Sequence, residues 1–147
     1  MTHRAEQVIQ AAASKISAQT DVGAPVYPHR VLSLSDEDQE IPAICPLQGA
    51  DEPLEWNFAF IDSELELRVA AYAKKATEVE LAAELARMRA AIHRALLSDP
   101  TLGLAFVFST TYRGVSEPEK DTSGGLVAGK HEFLFAVQYR MNTTDPE

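Results

Sequence analysis

Along residues 3–19 the apolar positions fall at Ala5, Val8, Ile9, Ala12, Ala13 and Ile16, with Arg4, Glu6, Gln7, Gln10 and Lys15 between them. Spacings of three and four put one apolar stripe on a helix. The stripe is mostly alanine, so this helix can lie close against a sheet, and residues 21–25 end it. Residues 26–34 read as a strand broken by Pro28, whose missing N–H confines it to an edge or bulge. An acidic loop follows over 35–40, then a short strand over 41–47 that carries Pro42 and Pro46. Residues 48–57, with Gly49, Asp51, Glu52 and Pro53, read as a connection or a widened hairpin tip that reaches the sole tryptophan, Trp56. The clearest strand comes next: Leu65, Leu67, Val69 and Ala71 alternate with Glu64, Glu66, Arg68 and Ala70, so one face turns inward.

Thr77-Glu78-Val79-Glu80 has the spacing of a capping box, in which the threonine hydroxyl accepts from the third helical N–H. A long helix is predicted from there. Leu81, Leu85, Met88, Ile92 and Leu96 form its core stripe, acids lead it, Arg87, Arg89 and Arg94 trail, and Asp99-Pro100 stops it. Residues 104–112 and 130–140 read as two central strands, because Phe106 beside Val107 and Leu134 between Phe133 and Phe135 make both faces apolar. Between them, residues 114–129 read as a flexible loop far longer than a usual hairpin connection, and 141–147 as a short polar tail. The order of elements predicts an α+β fold over residues 1–147: a single domain with a mostly antiparallel sheet of four to five strands and two helices packed on one face.

A chain of 147 residues that is 46% hydrophobic and 24% charged is ordinary globular composition. Scaling from its 16.1 kDa gives a folded surface of roughly 7,400 Å². Thirteen basic against 22 acidic residues leave a formal charge of −9, the wrong sign for gripping phosphates, so no sequence-specific nucleic-acid binding is expected. One cysteine, Cys45, excludes an internal disulfide; it stands between Ile44 and Pro46 without a basic neighbour and reads as an inert buried thiol. No apolar run reaches the roughly 20 residues of a membrane span, and no membrane partner is expected.

Candidate chemistry is sparse. Gly124 to Lys130 fits G-x-x-x-x-G-K, but His131 stands where a phosphate loop needs Ser or Thr, and a strand follows where a helix is required. His3, His29, His93 and His131 have no ligand spacing, and His131-Glu132 would point to opposite strand faces. Catalytic, cofactor and metal residues are therefore expected to be none. The features left over suit contact with other proteins: Trp56 and Phe58 beside the 48–57 connection, and Glu117, Glu119, Lys120 and Asp121 in the long loop.

Read in order, these pieces are an N-terminal helix from Arg4, then Val26 and Arg30 through an acidic loop to Ile41-Pro42-Ala43-Ile44, then Leu65-Glu66-Leu67-Arg68-Val69. The long helix from Thr77, Leu102-Gly103-Leu104, an elongated loop and Phe133-Leu134-Phe135-Ala136-Val137-Gln138-Tyr139 complete the series. This order resembles the minor tail protein U family of tailed bacteriophages, the tail terminator proteins, over most of the chain. The resemblance implies a non-enzymatic virion protein, made in the host cytoplasm, that forms a homo-hexameric ring on the head-proximal end of the tail. Its implied partners are other copies of itself, the tail tube protein and the head-tail connector protein. Such a ring would be strongly acidic, and Glu64, Glu66 or the 36–40 acids facing its lumen would repel DNA. The rival expectations are another head-tail joining or tail completion protein, and a small α+β ligand-binding or enzymatic dimer using Tyr72, His131 or Tyr139 in a pocket.

Overall fold

The computed structural model describes residues 2–34, 41–122 and 124–147; the acidic residues 35–40 lie outside the described residues. Helix α1 spans Arg4–Ala18, capped by His3, whose Nδ1 accepts from the Ala5 N–H at 3.0 Å. Strands β1 (Ala43–Trp56) and β2 (Phe60–Lys75) form a long antiparallel hairpin. Helix α2 (Glu78–Leu97) opens at Thr77, whose Oγ1 accepts from the Glu80 N–H at 3.2 Å as the capping-box spacing predicts. Strands β3 (Val107–Val115), β4 (Glu119–Asp121) and β5 (Val127–Asn142) complete a five-stranded antiparallel sheet.

The strand order is β1-β2-β5-β3, with β4 also paired to β5. Both helices pack on one face of this sheet, giving the two-layer α+β domain. Alternation decides which side chains enter the layer between. Leu65, Leu67, Val69, Ala71 and Ala73 of β2, and Phe133, Phe135, Val137 and Tyr139 of β5, meet the helices, and the predicted α2 stripe is fully buried there. Closest approach falls at Gly129, where a Cβ would lie 2.7 Å from a methyl of Leu81. The folded surface is 7600 Å², close to the scaling value.

Five local expectations change. Residues 26–34 form no strand: only Val26 bridges Ile44, and the segment then crosses the sheet's outer face. Pro28 has no N–H to pair and His29 takes a left-handed φ of 65°, which turns the chain off the sheet. Tyr27, Leu32, Leu34 and Ile41 cover Cys45, Ala70 and Tyr72, forming a small second core. Residues 48–57 are not a connection, since β1 runs on to Trp56. The prolines fit because β1 is an edge strand whose outward N–H groups need no partner, and register shifts at Gln48/Asp51 and Pro53/Glu55 absorb the irregular residues.

The other three concern the C-terminal third. β5 is central, but β3 is an edge with no further strand beyond it among the described residues. Half of residues 114–129 are sheet: Gly114 and Val115 belong to β3, residues 127–129 open β5, β4 pairs Glu119–Asp121 with residues 128–130, and the Ser116 N–H donates to Glu132 O at 2.9 Å. Sixteen residues of β5 offer enough backbone partners to pin the segment predicted to be loose. The polar tail is likewise held, with Met141 and Asn142 inside β5 and Arg4 donating to the carbonyls of Arg140, Pro146 and Glu147.

Candidate interaction surfaces

The hairpin β1-β2 ends in a turn at residues 57–59, and β2 stays paired with β5 up to Phe60. From Asp51 to Trp56 every β1 residue is exposed, so this part is an arm with solvent along its outer edge. At its turn, Asn57 Oδ1 accepts from the N–H groups of Ala59 and Phe60 at 2.7 and 2.9 Å, which fixes the reversal and pushes the neighbouring aromatics outward. Trp56 is 70% exposed and Phe58 96%. Beneath them Arg140 stacks 3.7 Å from the Phe60 ring centre and 5.1 Å from Phe108, and donates to both carboxylate oxygens of Asp62 at 2.7 and 2.9 Å. The Asp62 bonds hold the Arg140 pKa above its ordinary value. This bidentate clamp gives the aromatic end a firm base.

Asp51 ties the arm to the core. Its Oδ2 accepts from the hydroxyl of fully buried Tyr139 at 2.6 Å. Burial pushes the Tyr139 pKa well up, and the adjacent Asp51 carboxylate adds to the shift.

At the other end of the sheet, α2 and β4 flank an apolar groove of about 190 Å³. Leu81, Leu85, Ala82 and Ala86 contribute its helix side, Pro118 and Lys120 its strand side, and Arg89 and His131 its rim. Two-residue alternation brings Pro118 and Lys120 in and leaves Glu117, Glu119 and Asp121 on the opposite side of that segment. The Arg89 guanidinium donates to the Tyr112 hydroxyl at 2.7 Å. Burial lowers the His131 pKa, opposed by the bond its Nε2–H donates to Ser116 O at 2.9 Å, so the ring is neutral at pH 7.

The sheet's outer face carries a more polar depression of about 330 Å³ around Glu52, Glu64, Glu66, Arg113 and Leu134. Arg113 pairs with Glu64 at 2.9 Å and Arg68 with Glu66 at 3.1 Å, which balances part of its negative charge.

The six residues singled out from sequence therefore separate into two groups. Trp56 and Phe58 stand at one end; Glu117, Glu119, Lys120 and Asp121 stand at the other. Phe60 pairs with Asn142 and Lys120 with Gly129, and thirteen steps of about 3.3 Å along β5 put the groups roughly 40 Å apart. Tyr72, His131 and Tyr139 share no pocket: Tyr72 lies under the covering segment with its hydroxyl accepting from the Leu32 N–H, His131 edges the groove, and Tyr139 sits at the arm. The helix side of the groove was not foreseen, since Ala82 and Ala86 are ordinary helix formers whose exposure beside the leucine stripe depends on where β4 lies.

Among the described residues, no group of three or more His, Cys, Asp or Glu side chains gathers as a metal site would, and no helix is long and apolar enough to cross a membrane. No protein-family model matches the chain, and no curated protein matches it.

Proposed function

We propose that this chain is a structural subunit of a ring, and specifically a tail terminator that caps the head-proximal end of a phage tail tube as a homo-hexamer. One observation carries the reading. Seven large apolar side chains are exposed among the described residues; Leu54, Trp56, Phe58 and Phe108 gather at one end of the sheet, Val79 and Leu126 flank the other, and Val31 lies in the segment over the outer face. Two different patches on opposite ends of a rigid body are what head-to-tail association requires, and head-to-tail contacts close into rings when the rotation allows. At about 800 Å² per standard patch, two contacts would take roughly a fifth of the 7600 Å² surface. The order of sequence elements, which resembles that of the tail terminator family, supports that choice among ring-forming proteins.

Such a ring would stop tube growth by occupying the last tube layer and would present its other side to the connector. Electron microscopy of tail tubes assembled with and without the protein tests this. The expected result is six-fold rings on one end of tubes of uniform length, and over-long tubes when the protein is omitted. Uniform tubes in both preparations, with no ring on either end, would overturn the proposal. Normal tails that fail to attach heads would assign the protein to head-tail joining instead.

A further inference from the structure

We infer that the arm tip of one copy docks in the α2-β4 groove of a neighbouring copy, with Phe58 and Trp56 as the inserted side chains; this contact rests on the ring reading and supplies its interface. The groove is too small for a typical small-molecule site, since 190 Å³ falls below the roughly 300 Å³ where such pockets begin. It suits one or two protein side chains. Its floor is leucine, alanine and proline, and the tip offers the most exposed aromatics of the described chain.

Charge selects the same pairing. In a molecule of net charge −9, the groove is bordered by the cations Arg89 and Lys120. Of the nearby acids, Glu84 pairs with Arg87, Glu132 with Lys130 at 3.0 Å, and Glu117, Glu119 and Asp121 lie on the far side of β4, while Glu78 stands at the entrance of α2 one turn before Ala82. The exposed arm carries Glu55 next to Trp56 and Glu52 further back along β1, over an Arg140 already paired with Asp62. An acidic arm with an apolar head thus matches an apolar groove with a basic border. The roughly 40 Å between tip and groove prevents a copy from filling its own groove, so the occupant is a second copy.

Cysteine cross-linking reads this contact directly. Ala59 and Ala82 are both exposed, so A59C and A82C should fold normally with Phe58 and Trp56 kept in place, and Cys45 is buried out of reach. With a short bismaleimide, the A59C/A82C double variant should give a ladder of products beyond the dimer. A mixture of the two single variants should stop at a two-chain product. Arrest of the double variant at the dimer would keep the tip-in-groove contact but refute the ring, because it signals a two-fold exchange of arms. Sedimentation showing an oligomer in which the two introduced thiols do not cross-link would refute the contact and leave the ring standing. A chain that stays monomeric at millimolar concentration overturns both. Independently, F58A should weaken self-association by about 30-fold or more, as loss of a central aromatic anchor does. E55K and K120E should each weaken it, and the E55K/K120E pair should restore part of the loss; two additive losses would contradict the charge match.

Discussion

Removing the Asp51 carboxylate should loosen the arm from the core. The Tyr139 hydroxyl is buried, donates to Asp51 Oδ2 at 2.6 Å, and also has Ser63 within bonding reach. A hydrogen bond to a charged group contributes about 1.5–3 kcal/mol. With Ser63 left as a partner the hydroxyl is not orphaned, so D51A should cost about 1.5 kcal/mol, the lower end of that range. For a domain of this length that corresponds to a Tm lower by roughly 3–6 °C. Y139F should cost about 1 kcal/mol, since the carboxylate can then turn to water. Calorimetry on both single variants and D51A/Y139F closes the cycle, with an expected coupling of about 1 kcal/mol. Single effects that add to within about 0.3 kcal/mol would refute the link between arm and core. The pH dependence gives a second reading. A folded-state pKa raised by burial means the unfolded phenol ionises first, so the stability Tyr139 contributes is complete below its ordinary value of 10.0 and is lost as pH rises beyond it. The difference in stability between wild type and Y139F should therefore shift against wild type above pH 10.0 and stay flat below it.

Three further outcomes follow from the helix side of the molecule. G129A places a methyl 2.7 Å from the Leu81 side chain inside the closed layer and should cost about 1–3 kcal/mol by denaturant unfolding, with a smaller added cost when G129A is introduced into L81A. T77A removes the α2 cap and should lower stability by about 1 kcal/mol, read as a lower urea midpoint with unchanged m-value. His131 has its pKa lowered by burial, so the unfolded chain takes up the proton first as pH falls below 6.5; acid titration of stability should lose that component in H131Q.

The helices and the central strands were legible because their signals are local. The stripe of α2, its threonine cap and the alternation from Leu65 to Ala71 each depend on residues within a few positions of one another, and burial followed those patterns. Irregular strands were not. Pro46, Gly49 and Pro53 argue against strand by local rules, and only the edge position of β1 makes them acceptable. The two-sided apolar character of residues 104–112 also misled. Phe106 and Phe108 are partners of Arg4 and Arg140, so their bulk belongs to cation–π contacts at the sheet's end and not to a second covered face. Of the two candidate surfaces, Trp56 and Phe58 could be picked out because large aromatics in a polar context are conspicuous. The groove could not, since it exists only where a three-residue strand meets a helix that precedes it by more than twenty positions.

The central position of β5 has a bearing on how the chain acquires its structure. β1 and β2 can zip together as soon as both are made, yet β2, β3 and β4 all await the same late strand, which joins Phe60 to Asn142 and Val115 to Phe133. During synthesis the two helices emerge before the sheet they cover is continuous, leaving apolar strand edges open to the wrong neighbours. Distant pairing of this kind slows folding, and those edges stay open until residues 127–142 arrive.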